Sequence, residues 1–170
     1  FIADFDGKQL SSITDIMEGE PYEAPMKPFG GVESLSWAPD GKSLVYVSRK
    51  KTGMEYSVST NSDLYQYDLE SKSTKNLTEG MMGYDTNPVF SKSGKYLAWL
   101  SMEHDGYESD KNRIFIMDMQ SGVKTDLTAN WDYSVDKIAW TTDEKAIAFV
   151  APFKGTIPMF RIDIATQAVD

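Results

Sequence analysis

Apolar positions in this chain come in short, dense runs, each set off by a turn signal and followed by a polar stretch. Leu44-Val45-Tyr46-Val47, Tyr96-Leu97-Ala98-Trp99-Leu100 and Ala146-Ile147-Ala148-Phe149-Val150 are apolar at every position. Runs of this length predict strands that must be covered on both faces. Each follows a shorter predicted strand ending at an aromatic, and those aromatics, Trp37, Phe90 and Trp140, lie 53 and then 50 residues apart. Pro39-Asp40-Gly41-Lys42 joins the first such pair of strands. Its Pro presets φ and its Gly accepts φ > 0, which predicts a tight hairpin. Ser93-Gly94-Lys95 stands at the same place in the second copy, and Asp143-Glu144-Lys145 in the third. Glu144 replaces the Gly of the other two, so that turn is predicted to be strained or of another type.

Two further signatures recur in the same order. Leu64-Tyr65-Gln66-Tyr67-Asp68 matches Ile114-Phe115-Ile116-Met117-Asp118 and Met159-Phe160-Arg161-Ile162-Asp163, with Phe1-Ile2-Ala3-Asp4 as the tail of an earlier copy. Leu77-Thr78 matches Leu127-Thr128 and Ile13-Thr14. A period near fifty with several short strands per copy predicts a propeller or related array. The fold class expected is therefore all-β, a partial β-propeller of about three and a half four-stranded antiparallel blades. Residues 1–14 are read as the outer part of a preceding blade, 32–83, 85–131 and 134–170 as blades, the last incomplete. An ordinary sandwich with similar hairpins is the alternative. A closed ring needs at least about four blades, so the chain is expected to be a piece of a longer protein. Phe1-Ile2-Ala3-Asp4 reads as a strand already under way, with no basic-then-apolar leader before it. Open blade ends would present apolar flanks, which favours self-association of the isolated fragment.

Strand direction gives the two ends of such a blade different characters. The turn from second to third strand and the link to the next blade lie at one end. The other two turns lie opposite. Here the tight turns Asp40-Gly41 and Ser121-Gly122 fall at one end, and the long connections 17–31, 49–62, 79–84 and 102–112 at the other. Long loops on a rigid scaffold are where binding is usually placed. Tyr22, Tyr56, Tyr84, Tyr107, Trp131 and Tyr133 lie at that end, either as partner contacts or as residues that pack the loops down.

Charge and composition narrow the chemistry. The net charge of −9, from 17 basic and 26 acidic residues, argues against nucleic acid or an anionic membrane as partner. No apolar run is long enough to span a bilayer. With no cysteine there is neither a disulfide framework nor a thiolate metal site, which fits a reducing cytosol and a disulfide-free exported protein equally well. One histidine, His104, in the polar loop Met102-Glu103-His104-Asp105-Gly106-Tyr107-Glu108-Ser109-Asp110, reads as a solvated surface residue rather than a general base. No Gly-x-Ser-x-Gly occurs, and no catalytic residue, metal site or cofactor is assigned. Gly41-Lys42-Ser43 lacks the earlier Gly of a phosphate loop, since Ser36 stands there. Asp4-Phe5-Asp6-Gly7 and Asp105-Gly106 lack calcium-loop spacing. Asn76-Leu77-Thr78 has the form of a glycosylation sequon, but the repeat accounts for it as an outer-strand ending. Gly106-Tyr107-Glu108-Ser109-Asp110-Lys111-Asn112-Arg113 puts two carboxylates beside a tyrosine. It is either a solvated charged hairpin or an acidic pocket for a ligand's ammonium group.

The stretch Ser-Trp-Ala-Pro-Asp-Gly-Lys-Ser-Leu-Val-Tyr-Val-Ser at 36–48 resembles the blade motif of Tol-system propellers and of the N-terminal propellers of prolyl-oligopeptidase-family serine peptidases. Residues 10–31, with Ile13-Thr14 and Glu20-Pro21-Tyr22-Glu23-Ala24-Pro25, resemble an inter-blade loop of that family's acylaminoacyl-peptidase and dipeptidyl-peptidase 5-like branch. Residues 106–113 resemble a Gly-aromatic-Glu-x-Asp stretch of the same branch. The resemblance implies a non-catalytic, substrate-gating propeller segment of an exopeptidase acting on short peptides, of dipeptidyl- or acylaminoacyl-peptidase type. Its partner would be a C-terminal α/β-hydrolase domain of the same polypeptide, which carries the triad outside this chain. By the same resemblance Glu108 would contact the substrate's free N-terminus, with Tyr107 and Asp110 in support. A periplasmic or secreted location is implied at family level, with a cytoplasmic one left open. The alternative is a Tol-system-like propeller that binds proteins and has no enzymatic activity.

Overall fold

A computed structural model describes residues 1–28 and 30–170; residue 29, inside the 17–31 loop, lies outside the described residues. The leading strands β1 (Ile2–Phe5) and β2 (Leu10–Thr14) form a two-stranded antiparallel sheet. The first blade is β3 (Leu35–Trp37), β4 (Ser43–Ser48), β5 (Asp63–Asp68) and β6 (Thr74–Asn76), paired in chain order. The second is β7 (Asp85–Phe90), β8 (Tyr96–Ser101), β9 (Arg113–Asp118) and β10 (Lys124–Asp126). The third is β11 (Lys137–Trp140), β12 (Ala146–Val150) and β13 (Met159–Asp163), with Val169 bridging back to Ile162. The predicted propeller blades are thus present. Among the described residues two short elements are not strands, a 3-10 turn (Val32–Ser34) ahead of β3 and the helix α1 (Gly53–Val58) within the 49–62 connection.

The period-2 alternation of each central strand explains how the blades stack. Val45 and Val47 of β4, with Leu64 and Leu77, pack against Leu97 and Trp99 of β8 and Met117. The alternate residues of β8, Ala98 and Leu100, pack with Ile114, Ile116 and Leu127 against Ile147, Phe149 and Ile162 of the third blade. On its other face the first blade presents Tyr46, Tyr65 and Tyr67 to Ile2, Ile16 and Met17. Every core cluster therefore lies between neighbouring sheets. The leading sheet leaves Phe1, Phe5, Leu10 and Ile13 exposed, and Ile157 and Met159 are exposed in the third blade.

The recurring signatures have local causes. Asp68, Asp118 and Asp163 each end a third strand and accept from the backbone N–H and the hydroxyl of the residue three positions on: Ser71, Ser121 and Thr166. These are Asx turns, and the backbone donors hold all three carboxylates below the usual aspartate range. In the Leu-Thr signature, the Thr78 and Thr128 hydroxyls accept from the backbone N–H groups of Leu64 (3.0 Å) and Ile114 (2.8 Å). Leu77 and Leu127 enter the inter-blade core. Asn76 accepts from the Thr78 backbone N–H at 3.0 Å, so the sequon residue closes this strand ending.

Glu144 resolves its turn in an informative way. Its φ of 57° is the left-handed conformation that Gly41 (69°) and Gly94 (74°) adopt, so the turn is of the same type despite the side chain. The carboxylate accepts from the backbone N–H (2.5 Å) and hydroxyl (2.6 Å) of Ser93 in the neighbouring blade's hairpin. Those bonds offset the cost of the conformation and tie the tight-turn ends of two blades together.

Phe149 is almost fully buried between the second and third blades and touches the rings of Trp131 and Phe160. Phe149→Ala is expected to destabilise the chain by about 3–5 kcal/mol, read as a lowered urea midpoint. An unchanged midpoint would contradict inter-blade packing as the source of stability.

Candidate functional site

The long connections meet at one end of the blades, as strand parity predicts. The 17–31 loop is bonded to the end of β4 through the Ser48 hydroxyl on the Glu23 carbonyl (3.1 Å) and to the 49–62 connection through the Tyr56 hydroxyl on Glu23 Oε1 (3.1 Å). The 49–62 connection reaches 102–112 through Asp105, and 102–112 reaches the next link through Lys111 Nζ on the Trp131 carbonyl. At the 79–84 link, Met102 N–H donates to the Tyr84 carbonyl. Gly83 lies so close that a Cβ there would sit 1.9 Å from the Met102 carbonyl oxygen, so only glycine fits.

Most of the aromatics at this end pack the loops down. Tyr84 joins the core between the first two blades, and Trp131 joins the core between the second and third. Tyr133 packs on Trp131 and Phe153. Tyr56 lies under the Arg49 guanidinium at 5.2 Å, and Tyr22 borders the Lys50 ammonium at 5.8 Å. Tyr107, at 56% exposure, stands furthest out into solvent, ahead of Tyr133 at 36%. An open recess of about 430 Å³ lies between the 17–31 and 49–62 connections, walled by Tyr22, Glu23, Lys51 and Tyr56.

The three candidate site residues share the 102–112 loop but differ in surroundings. Asp110 Oδ2 accepts from the backbone N–H groups of Glu103 (3.2 Å) and His104 (2.7 Å) and faces His104 Nδ1 at 2.9 Å. Desolvation opposes its charge, but the His104 N–H and ring and the Glu103 N–H outweigh it and hold the carboxyl below its usual range. Asp110 therefore closes its own loop. His104 is an exposed residue leaning edge-on to Tyr107 at 6.3 Å. Glu108 is exposed, and among the described residues it forms no hydrogen bond or ion pair within the chain. The loop thus projects one uncommitted carboxylate and one exposed phenol.

Three features were not anticipated from sequence. Asp105 accepts from the Ser59 hydroxyl and from the backbone N–H groups of Thr60 and Asn61, 44 to 46 residues away. Lys50 lies over the ring of Tyr65 at 4.5 Å and pairs with Glu20 at 2.5 Å. Burial works against that ammonium, but Glu20 and Tyr46 outweigh it and raise its pKa. Asp85 is fully buried at the start of β7, where the third copy has the buried Val135. A carboxylate at a position that is apolar in the neighbouring copy is the signal that would have found it.

Asp85 Oδ1 accepts from the Trp99 indole N–H at 3.1 Å, and Oδ2 has no partner among the described residues. Its backbone carbonyl accepts from the Ser62 hydroxyl and its N–H donates to the Ser62 carbonyl, joining two blades. Burial pushes its carboxyl up to about 7, against the contrary pull of Ser101, Thr78 and Trp99. Among the described residues no group of three or more His, Asp or Glu side chains is placed to hold a metal ion. None of the described helices is long and apolar enough to cross a membrane.

No family model matches the chain. Its sequence is 52% identical over 169 residues to dipeptidyl-peptidase 5 of Porphyromonas gingivalis, covering 99% of the chain and 25% of that protein. The chain thus spans a quarter of that curated relative's length. Among solved structures, TolB from Acinetobacter baumannii matches with a TM-score of 0.61 at 22% identity, over 99% of this chain and 35% of that one. One from a study of two prolyl endopeptidases matches with a TM-score of 0.57 at 14% identity, over 79% of this chain and 20% of that one. Both structural matches carry the propeller fold alone.

The raised pKa of Asp85 makes a pH-dependent prediction. The folded state keeps this proton where the unfolded chain has lost it. Its contribution to stability is complete below about 4, declines as pH rises, and is gone above about 7. Asp85→Asn, neutral throughout, is expected to gain stability relative to the parent as pH rises through that window. Urea titrations at pH 5 and pH 8 check this; an equal change in midpoint for both proteins would contradict it.

Proposed function

We propose, from the homology of this chain to a quarter of dipeptidyl-peptidase 5 in the prolyl oligopeptidase family, that it is the non-catalytic, substrate-binding and substrate-gating propeller segment of a serine exopeptidase. Its substrates are short peptides with a free N-terminus. The reaction takes place in an α/β-hydrolase domain of the same polypeptide, outside this chain. The observation that carries this reading is the identity of 52% over 169 residues, which spans the loop belt as well as the strands. The protein-interaction reading is not favoured by the TolB match, which at 22% identity carries the fold alone.

Within this reading Glu108 binds the substrate's ammonium group. Its exposure and its lack of an internal partner suit that role, because a carboxylate already paired would have to be freed first. Tyr107, exposed beside it, offers a hydroxyl and a ring face to the same cation. Asp110 supports the pair by shaping the loop rather than by touching the ligand. The protein is proposed to be periplasmic or secreted, a location that the absence of cysteine allows without favouring it over the cytoplasm.

In the intact protein, Glu108→Gln is expected to raise KM for dipeptide-releasing substrates by about tenfold or more with little change in kcat, since a charge-assisted hydrogen bond is lost. Unchanged kinetics would mean that the acidic loop is merely solvated. The isolated 170-residue chain is expected to hydrolyse neither peptide nor ester substrates, and sustained turnover by pure material would overturn the assignment of the chemistry to another domain.

A further inference from the structure

The turn that carries Tyr107 and Glu108 is held from two sides. On its own stem, Asp110 gathers Glu103 and His104, and the Asp110 N–H donates to the Tyr107 carbonyl at 3.3 Å. On the other side the loop is fastened to the neighbouring blade. Asp105 Oδ1 accepts from the backbone N–H groups of Thr60 (2.8 Å) and Asn61 (3.0 Å), and the Ser59 hydroxyl donates to the same carboxylate at 2.7 Å from Oδ1 and 2.9 Å from Oδ2. One residue later the Gly106 N–H donates to Thr60 Oγ1 at 2.8 Å. Gly106 has φ of 75°, and a Cβ there would meet the Val58 carbonyl at 3.7 Å. The chain thus reverses against the end of α1 and projects Tyr107 from that reversal.

The three donors to Asp105 lie in consecutive residues just after α1. Partial burial opposes the charge on Asp105, but the Ser59 hydroxyl and the Asn61 and Thr60 N–H groups outweigh it and keep the group ionised. The contact links the 49–62 and 102–112 loops of adjacent blades, whose backbones are otherwise bridged at this end at Ser62 and Tyr84. Without it the 102–112 loop would keep one bond to the 49–62 connection, from the Gly106 N–H to Thr60 Oγ1, beside those to its own blade and to the 79–84 and 127–134 links.

We propose that Asp105 is the positioning residue of the ammonium site, clamping the Tyr107–Glu108 turn to the neighbouring blade so that Glu108 meets the substrate's N-terminus at a fixed place. This inference rests on the reading of Glu108 given above. A site misplaced by about 1 Å can lose roughly a hundredfold in catalytic efficiency, so a clamp one turn away from the contact has a measurable consequence.

The test uses the intact peptidase and one dipeptide-releasing substrate in two forms, with a free and with an acetylated N-terminus. Asp105→Ala is expected to raise KM for the free form roughly tenfold with kcat nearly unchanged. Asp105→Asn keeps an oxygen acceptor for the same donors and is expected to restore most of the loss. The double variant with Glu108→Gln is expected to be no worse than Glu108→Gln alone, because the two act on one contact. If Asp105→Ala does not fold, Ser59→Ala removes a single donor and is expected to give a smaller shift of the same kind. Normal KM in Asp105→Ala alongside a raised KM in Glu108→Gln would overturn the clamp and leave the ammonium site standing. Equal losses on both substrate forms would also overturn it, by reducing Asp105 to a general stabilising role. An unaffected Glu108→Gln would remove the reading on which the clamp depends.

Discussion

Each blade has a central strand that is apolar on both faces, and such a strand cannot be stable unless something covers it on both sides. Val45 and Val47 look one way from β4 and Tyr46 the other; Leu97 and Trp99 look one way from β8 and Ala98 and Leu100 the other. The neighbouring blade is what covers them. Stability in this architecture resides between sheets rather than within them, so the order of the blades is fixed by packing. Side-chain size sets the fit at each junction: Trp99 fills the first and Phe149 the second.

Stacking the blades also forces their ends into two rings of loops. At the tight-turn end the junctions are small, with Glu144 reaching Ser93 and Gly94 placed so that a Cβ on it would meet the Pro39 ring at 3.5 Å. At the other end the long connections have polar backbone to satisfy, and they do so by bonding to one another across blades. Asp105, Asp85, Glu23 and Lys111 are the residues that make those crossings. The proposed ammonium site grows from this arrangement. Glu108 is available to a ligand because its neighbours Asp105 and Asp110 have already met the loop's internal needs.

Much of the fold was legible in the sequence because it depends on local chemistry repeated at a fixed period. The apolar runs, the Asx turns at Asp68, Asp118 and Asp163, and the Leu-Thr endings each act over a few residues, so spacing reveals them. Parity was enough to predict which connections share an end. The candidate site was legible only in part. Sequence brings Tyr107, Glu108 and Asp110 into one loop, but it does not say that Asp110 turns inward while Glu108 stays free. The Asp105 clasp spans 44 to 46 residues, and no local pattern encodes such a contact. Glu144 taught a related lesson: the expected glycine conformation survives its replacement because a cross-blade bond, invisible in the local sequence, compensates. Helix α1 lay in a connection whose polar composition carries little periodicity.

The central functional claim is that this loop belt recognises a peptide's free N-terminus on behalf of a hydrolase domain. The most direct measurement is cleavage of one short peptide by the intact protein, with its N-terminus free and with it acetylated. The account predicts release of a dipeptide from the free form and cleavage of the acetylated form slower by about a hundredfold, the worth of one well-placed charged contact. Equal rates, or preference for the blocked peptide, would contradict it.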